Sequence, residues 1–351
     1  MKFEVDRLMI VADDLTGALD SAAPFAAHGY SVAVVTDQAA LGEAVAGGAD
    51  VVAVTTRSRE IAPDEAANRV ALAQNELVSR MALLKKVDSR LKGNVEAEIS
   101  ALEFERAVVL PAIPEFGRVV TKGMISGFGV ETPIAIAGRL GAVAERSIIP
   151  DTSTVEAMQA ALGLLQENDL LVGALSLANA LAAQSGRPRQ DSVGVKGSKL
   201  LIAIGSRDPI TVSQVDTLRN AASHLNYIAA PGGAVSETAV AAAPLPSALI
   251  LVQAVDGATE LSSVEVADNL ATSVAALDAG YDTLLLSGGA SAEAYFDKQG
   301  IRILTLLGEI MPGLPVAKYG DRHFITKSGG FGDAETLVQV AEKILGHEGV
   351  K

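Results

Sequence analysis

Asp13 and Asp14 stand side by side in the run Ala12-Asp13-Asp14-Leu15-Thr16-Gly17, where an apolar stretch gives way to helical spacing. Two carboxylates in one tight turn suit general-base work or a metal, and Thr16 and Gly17 add a hydroxyl and a backbone N–H at a helix start. Capping of that helix is the plainer role for Asp14 or Thr16 taken alone. A second segment, Lys85-Lys86-Val87-Asp88-Ser89-Arg90-Leu91-Lys92-Gly93-Asn94, sets four cations beside an acid and a hydroxyl. In a chain of 28 Lys+Arg against 42 Asp+Glu, net −14, such local density would gather a carboxylate or phosphate. A solvated basic loop is its alternative. Arg57-Ser58-Arg59 and Pro111-Ala112-Ile113-Pro114-Glu115-Phe116-Gly117-Arg118 are weaker turns of the same kind.

The second half carries three Gly-containing turns, Gly205-Ser206-Arg207-Asp208, Ser287-Gly288-Gly289-Ala290-Ser291 and Lys327-Ser328-Gly329-Gly330-Phe331-Gly332-Asp333. Each leads from an apolar run toward a helix, so its N–H groups could hold phosphate. One such turn is usually only a turn; three at successive strand ends point to a phosphate or nucleotide site. P-loop, GxGxxG, HExxH and GxSxG patterns are absent, and the four histidines are scattered. Without cysteine there are no disulfides, thiolate metal ligands or thiol nucleophiles.

These turns need elements to hold them. Apolar runs predict strands at Leu8–Ala12, Ser31–Thr36, Val51–Thr55, Leu83–Val87 and Ala107–Pro111, with helices at Thr16–His28 and Asp64–Met81. A second series predicts strands at Leu200–Ile204, Ala248–Val252, Thr283–Leu286 and His323–Thr326, with helices at Thr211–Ala222, Ser263–Gly280 and Ala334–Leu345. Such alternation predicts α/β architecture: two α/β domains with mainly parallel sheets, residues 1–190 and 191–351, joined in the polar stretch 182–198. Ala239–Ser247 reads as an irregular connection. A hydrophobic fraction of 49% permits two large cores and excludes a disordered chain. The negative charge disfavours nucleic acid and anionic membranes as partners. Charges at Glu4, Asp6, Asp13 and Asp14 break any signal-peptide core, and no apolar run reaches the roughly 18 residues of a membrane span, so a soluble cytoplasmic protein is expected.

Taken in order, ADDLTGALD, KKVDSRLKGN, PAIPEFGR, GSRDPIT, SGGASA and KSGGFGD resemble the marks of the four-carbon acid sugar kinase family, across nearly the whole chain. The resemblance implies an acid-sugar-binding first domain, an ATP-binding second domain and an interdomain active-site cleft. It also implies ATP and Mg²⁺ as cofactors and phosphorylation of a tetronate such as erythronate, threonate or 3-oxo-tetronate; it leaves a homodimer open. Carried over by residue, Asp13, Thr16, Gly17, Arg59, Ser89, Asn94 and Arg118 would bind substrate. Asp14 or Asp88 would accept the hydroxyl proton, while Lys86 and Arg118 hold the carboxylate or the transferring phosphoryl group; Lys327 is an alternative partner for the phosphate. Ser206, Gly288, Gly289, Ala290, Ser291, Lys327, Gly329, Gly330 and Gly332 would surround the nucleotide, and metal ligands stay unassigned. Two departures are specific to this chain. Arg90-Leu91-Lys92 stands where the family usually has Thr-Leu-Arg, and Ala290-Ser291 where it has an acid and a threonine. The second favours an alternative, a non-catalytic sugar-acid or nucleotide sensor of the same fold.

Overall fold

The computed structural model describes residues 7–166, 168–236, 238–239 and 247–350. The expected connection Ala239–Ser247 lies outside them over 240–246. The chain divides into two compact units, Met1–Gln190 and Asp191–Lys351.

The first unit contributes β1 (Arg7–Ala12), β2 (Val32–Val35), β3 (Val51–Thr55), β4 (Met81–Lys86), β5 (Ala107–Leu110), β6 (Arg118–Thr121), β7 (Met124–Gly127), β8 (Ile134–Ala135), β9 (Ser147–Ile148) and β10 (Leu170–Gly173). Its main sheet runs β2-β3-β1-β4-β10-β5-β9 with every pairing parallel. Continuous apolar strands such as VVAVT of β3, buried at all five positions, suit a sheet covered on both faces. The helix Leu15–Ala27 covers one face, burying Leu15, Ala18, Leu19, Ala22 and Ala23. Each fully buried large apolar side chain contributes about 1.5–3 kcal/mol.

Parallel pairing brings all carboxyl ends to one edge. Ala12 pairs with Thr55 on one side and Lys86 on the other, so the turns after β1, β3 and β4 are neighbours. The sequence assigned no element to β10, which inserts between β4 and β5. It also assigned none to β6, β7 and β8, which form a small antiparallel sheet. The helix expected over Asp64–Met81 ends at Gln74, and Met81 opens β4. The helix closes at its C-cap Asn75 with turn bonds from Glu76 and Leu77, and Arg80, at a left-handed φ of 64°, turns the chain into a short apolar run with no periodicity to distinguish strand from helix. The helix Leu175–Gln184 enters the expected linker, and no helix or strand spans 185–199.

The second unit contributes β11 (Leu200–Ile204), β12 (Asn226–Pro231), β13 (Leu249–Val255), β14 (Thr283–Ser287), β15 (Ile303–Met311), β16 (Leu314–Tyr319) and β17 (Arg322–Lys327). Their order is β12-β13-β11-β14-β17-β16-β15, parallel through β17, with β16 antiparallel to both its neighbours. Leu200, Ile202, Ile204, Leu251, Leu285 and Ile325 share a core with Val215, Leu218, Leu337 and Ile344. The helices Pro209–Ala221, Ser263–Leu277, Gly289–Gln299 and Thr336–Leu345 complete the unit; Ser262 and Glu265 form a capping box on the second. Among the described residues, no helix is long and apolar enough to cross a membrane.

Candidate functional site

Asp14 caps the helix Leu15–Ala27: its Oδ1 accepts the Gly17 N–H at 2.8 Å, and its Oδ2 accepts the Thr16 hydroxyl at 2.9 Å. The capping role weighed in the sequence is therefore real, but it is not the whole role. Arg59 donates to the same Oδ2 through Nη1 at 2.6 Å, and grips Asp13 through Nε at 2.8 Å and Nη2 at 2.9 Å. Burial by itself would raise the Asp13 pKa. The Arg59 hydrogen bonds, with the fields of Lys85 and Lys86, outweigh it and hold the carboxyl below its ordinary value. Burial likewise opposes the Arg59 charge, and Asp13, Asp14 and Asp88 overcome it, pushing that pKa up. Asp13 is thus a charged anchor with both oxygens occupied.

The loop bearing Arg59 is fastened from below. Thr56 N–H donates to Ala12 O and Ser58 N–H to Asp13 O. The Asn94 amide donates to Ser58 O at 2.8 Å and Ile61 O at 2.9 Å, so it latches the loop that carries Arg59. The Ser58 hydroxyl donates to Glu98 Oε1, and Glu98 Oε2 meets Lys85 Nζ at 2.9 Å. Lys85 and Glu98 are 0% and 2% exposed, which removes Lys85 from the cations available to a ligand. A buried pair of this kind adds little net stability, yet removing one member strands the other. Glu98 carried no signal in the sequence: it looks like any helix glutamate in VEAEIS.

Lys86 differs from its neighbour. No hydrogen bond or ion pair engages its ammonium among the described residues, although it is only 7% exposed. A Cβ on Gly17 would stand 2.9 Å from Lys86 Nζ and 2.5 Å from Asp14 Oδ1, so the glycine keeps open the space between acid and cation. Beyond β4, Asp88 Oδ1 accepts the Arg90 N–H at 2.9 Å and closes a turn, while its Oδ2 has no hydrogen bond among the described residues. Arg118 donates through Nη1 to the Ser89 hydroxyl and through Nε to Phe128 O at 3.0 Å. The first unit's candidates thus gather at the carboxyl edge of its parallel sheet.

The three Gly-containing turns of the second unit are also neighbours. Gly205 N–H donates to Ser287 O, and Gly288 N–H to Lys327 O, both at 3.0 Å. The helix Gly289–Gln299 starts with Gly288 at its N-cap and no side-chain cap, so side chains do not occupy the N–H groups around Gly289, Ala290 and Ser291. Ser206 Oγ accepts the Asp208 N–H at 3.2 Å, and a Cβ on Gly329 would stand 2.3 Å from that oxygen. Gly330 faces Asp208 Oδ2. Lys327 behaves differently from the sequence reading. It is fully buried, and its ammonium donates to Thr211 Oγ1 at 2.9 Å, Ser328 O at 3.0 Å and Gly329 O at 3.2 Å. All three N–H groups serve the protein, so Lys327 shapes the turn from beneath. Burial pushes its pKa down to about 8, with Asp208 acting in the opposite sense. Gln214 fastens the rest of the loop, through Nε2 to Phe331 O and Asp333 O at 2.9 and 2.8 Å, which carries Gly332 between them. Among the described residues, no cluster of three acidic or histidine side chains could hold a metal.

Residues 8–135 match a family model described as a sugar-binding N-terminal domain, and residues 201–337 one described as a nucleotide-binding C-terminal domain. A D-threonate kinase of Bordetella bronchiseptica is 28% identical, over 95% of this chain and 96% of its own. The chain belongs to the four-carbon acid sugar kinase family. A D-erythronate kinase of Heliobacterium modesticaldum is also 28% identical, over 69% of this chain and 54% of its own. A crystal structure from Salmonella typhimurium LT2, provisionally described as a tRNA synthase, shares the fold with TM-score 0.76 and 18% identity, covering 96% of this chain and 99% of that one. In the terms of the four-carbon acid sugar kinase family, the Asp13 to Arg118 cluster falls inside the sugar-binding match. The turns from Ser206 to Gly332 fall inside the nucleotide-binding match.

Proposed function

We propose that this protein transfers the terminal phosphate of ATP to a hydroxyl of a four-carbon sugar acid, a tetronate. The observation that carries this reading is the unpaired Lys86 ammonium, set at a helix start beside Asp14 and Gly17 in the sugar-binding match. A desolvated cation without a partner is a place for substrate charge.

Phosphoryl transfer asks chiefly for positioning and charge neutralisation. Asp88 is the general base. Of the three acids it alone has a carboxylate oxygen clear of hydrogen bonds, whereas Asp13 and Asp14 are held by Arg59 and the helix start. Its Oδ2 accepts the proton of the attacking hydroxyl, and Lys86 offsets negative charge as the phosphoryl group arrives. Arg59 keeps Asp13 and Asp14 in register; Arg118, Ser89 and Thr16 orient the sugar acid. On the second unit, backbone N–H groups of Gly289 to Ser291 and of Gly329, Gly330 and Gly332 receive phosphate oxygens, with Ser206 beside them.

Magnesium is commonly held by one or two carboxylates together with substrate phosphates, so it needs no protein cage of its own. Asp208, whose Oδ1 caps the helix Pro209–Ala221 and whose Oδ2 faces Gly330, fits that part. The ion would neutralise phosphate charge. Ala290 does not weigh toward a sensor, because phosphate held by backbone N–H groups needs no side chain at that position.

The test is ADP release with Mg·ATP against D- and L-erythronate, D- and L-threonate and the 3-oxo-tetronates. Turnover that depends on one tetronate is the expected result. ATP binding with no turnover on any of them would replace the kinase with the sensor.

A further inference from the structure

Arg90 lies in the turn after β4, and the reaction outlined above gives it no part. Its side chain leaves the turn after β4 and reaches the strand-connecting segment beyond β7, where Nη1 approaches Gly129 O at 3.4 Å. Arg118 is tied to the adjoining carbonyl, Nε to Phe128 O at 3.0 Å, and a Cβ on Gly129 would lie 2.9 Å from Arg118 Nη2. Two guanidinium groups are therefore fastened to consecutive carbonyls of one short segment. Arg90 Nε is buried and has no hydrogen-bond partner. Leaving a buried donor unmatched is costly, and placing two cations together adds repulsion. Burial and the Arg90 charge together press the Arg118 pKa down, with Asp88 opposing them.

We infer that Arg90 and Arg118 form a clamp for the carboxylate of the sugar acid, and that Arg90 is a specificity-determining residue. The inference rests on the tetronate kinase reading. A carboxylate satisfies each element of this arrangement: it offers several lone pairs to planar, forked donors, and it neutralises the repulsion between them. The hydroxyl of Ser89, which accepts from Arg118 Nη1, fixes one guanidinium before substrate arrives. The clamp also separates tasks within the site. Lys86, against the helix start at Gly17, is left for the charge of the phosphoryl group, and the arginine pair takes the carboxylate. A tetronate would then be distinguished from the uncharged four-carbon polyol by its carboxylate, since an acceptor lacking it leaves two half-buried cations without a counter-charge.

The test compares wild type, Arg90→Gln and Arg90→Lys, all checked for unchanged melting temperature. On the tetronate that wild type phosphorylates, Arg90→Gln is expected to raise KM by about 10- to 100-fold, with kcat within about threefold and KM for ATP unchanged. Arg90→Lys restores part of the loss, because an ammonium supplies charge without the fork. Activity on the corresponding tetritol rises in Arg90→Gln relative to activity on the tetronate, because one of the two cations that an uncharged acceptor leaves unpaired is gone. A tetronate KM within twofold of wild type in Arg90→Gln, or a fall confined to kcat, overturns the clamp while leaving the kinase standing. If wild type turns over no tetronate, calorimetric titration with each sugar acid reads the clamp directly. Binding that weakens at least tenfold in Arg90→Gln supports the clamp without the kinase, and absence of binding to wild type overturns both.

Discussion

Arg59 holds two adjacent carboxylates at once, Asp13 by a pair of N–H···O bonds of 2.8 and 2.9 Å and Asp14 by a third of 2.6 Å. A lysine cannot reproduce that fork. Arg59→Lys is expected to lower kcat/KM for the sugar acid about 100-fold while leaving ATP binding intact. Asp13→Asn should destabilise the protein by about 3 kcal/mol or less, because Arg59 keeps part of its hydration. The pair also sets an acid limit. Asp13 titrates below its unfolded value, so its contribution is fully present above about pH 4 and is lost as pH falls through the lower folded value. Denaturation curves of wild type and Asp13→Asn should converge below that range.

Lys86 and Lys85 are consecutive, yet only Lys86 has an uncommitted ammonium. Lys86→Met is expected to reduce kcat/KM by about 10²–10³ with a small change in melting temperature. Lys85→Met should do the reverse, unfolding the protein at markedly lower temperature because Glu98 is left buried without its partner. Thermal scans beside steady-state kinetics separate the two.

Asp88→Asn preserves the turn, since an asparagine oxygen can still accept the Arg90 N–H. A fall of about 10²–10⁴ in kcat at unchanged melting temperature is therefore expected if Asp88 accepts the proton. Asp14→Asn also preserves a cap. Turnover of Asp88→Asn near wild type would move the base elsewhere.

Lys327 adds a pH dependence of the same sign at the alkaline end. Its folded pKa of about 8 lies below the ordinary 10.5, so between those values the unfolded chain binds a proton that the folded one does not. Stability should rise with pH across that window, and the Lys327 contribution to the slope should vanish in Lys327→Met. The same variant loosens the Ser328 and Gly329 carbonyls, and KM for ATP is expected to increase about tenfold.

Nine of the strands and the main helices between them were legible from apolar runs and period, and with them the edge at which the turns after β1, β3, β4, β11, β14 and β17 sit. Apolar runs too continuous for a half-exposed sheet must be buried on both faces, which makes the strands parallel, and parallel strands bring their carboxyl ends together. Asp13, Arg59, Lys86 and Asp88 follow from that rule, as do the turns after β11, β14 and β17. The allocation of charges did not follow. Whether Lys85 or Lys86 meets a ligand depends on Glu98, a residue on a short helix whose burial no local pattern records. Lys327 reads as a phosphate ligand until Thr211, 116 positions away, is seen to accept from it. The pairing of Arg90 with Arg118 depends on the small sheet of β6, β7 and β8, whose alternation is too short to stand out in sequence. Local periodicity reports which face of an element is apolar; partners for buried charge are chosen across the fold, where distance along the chain carries no information.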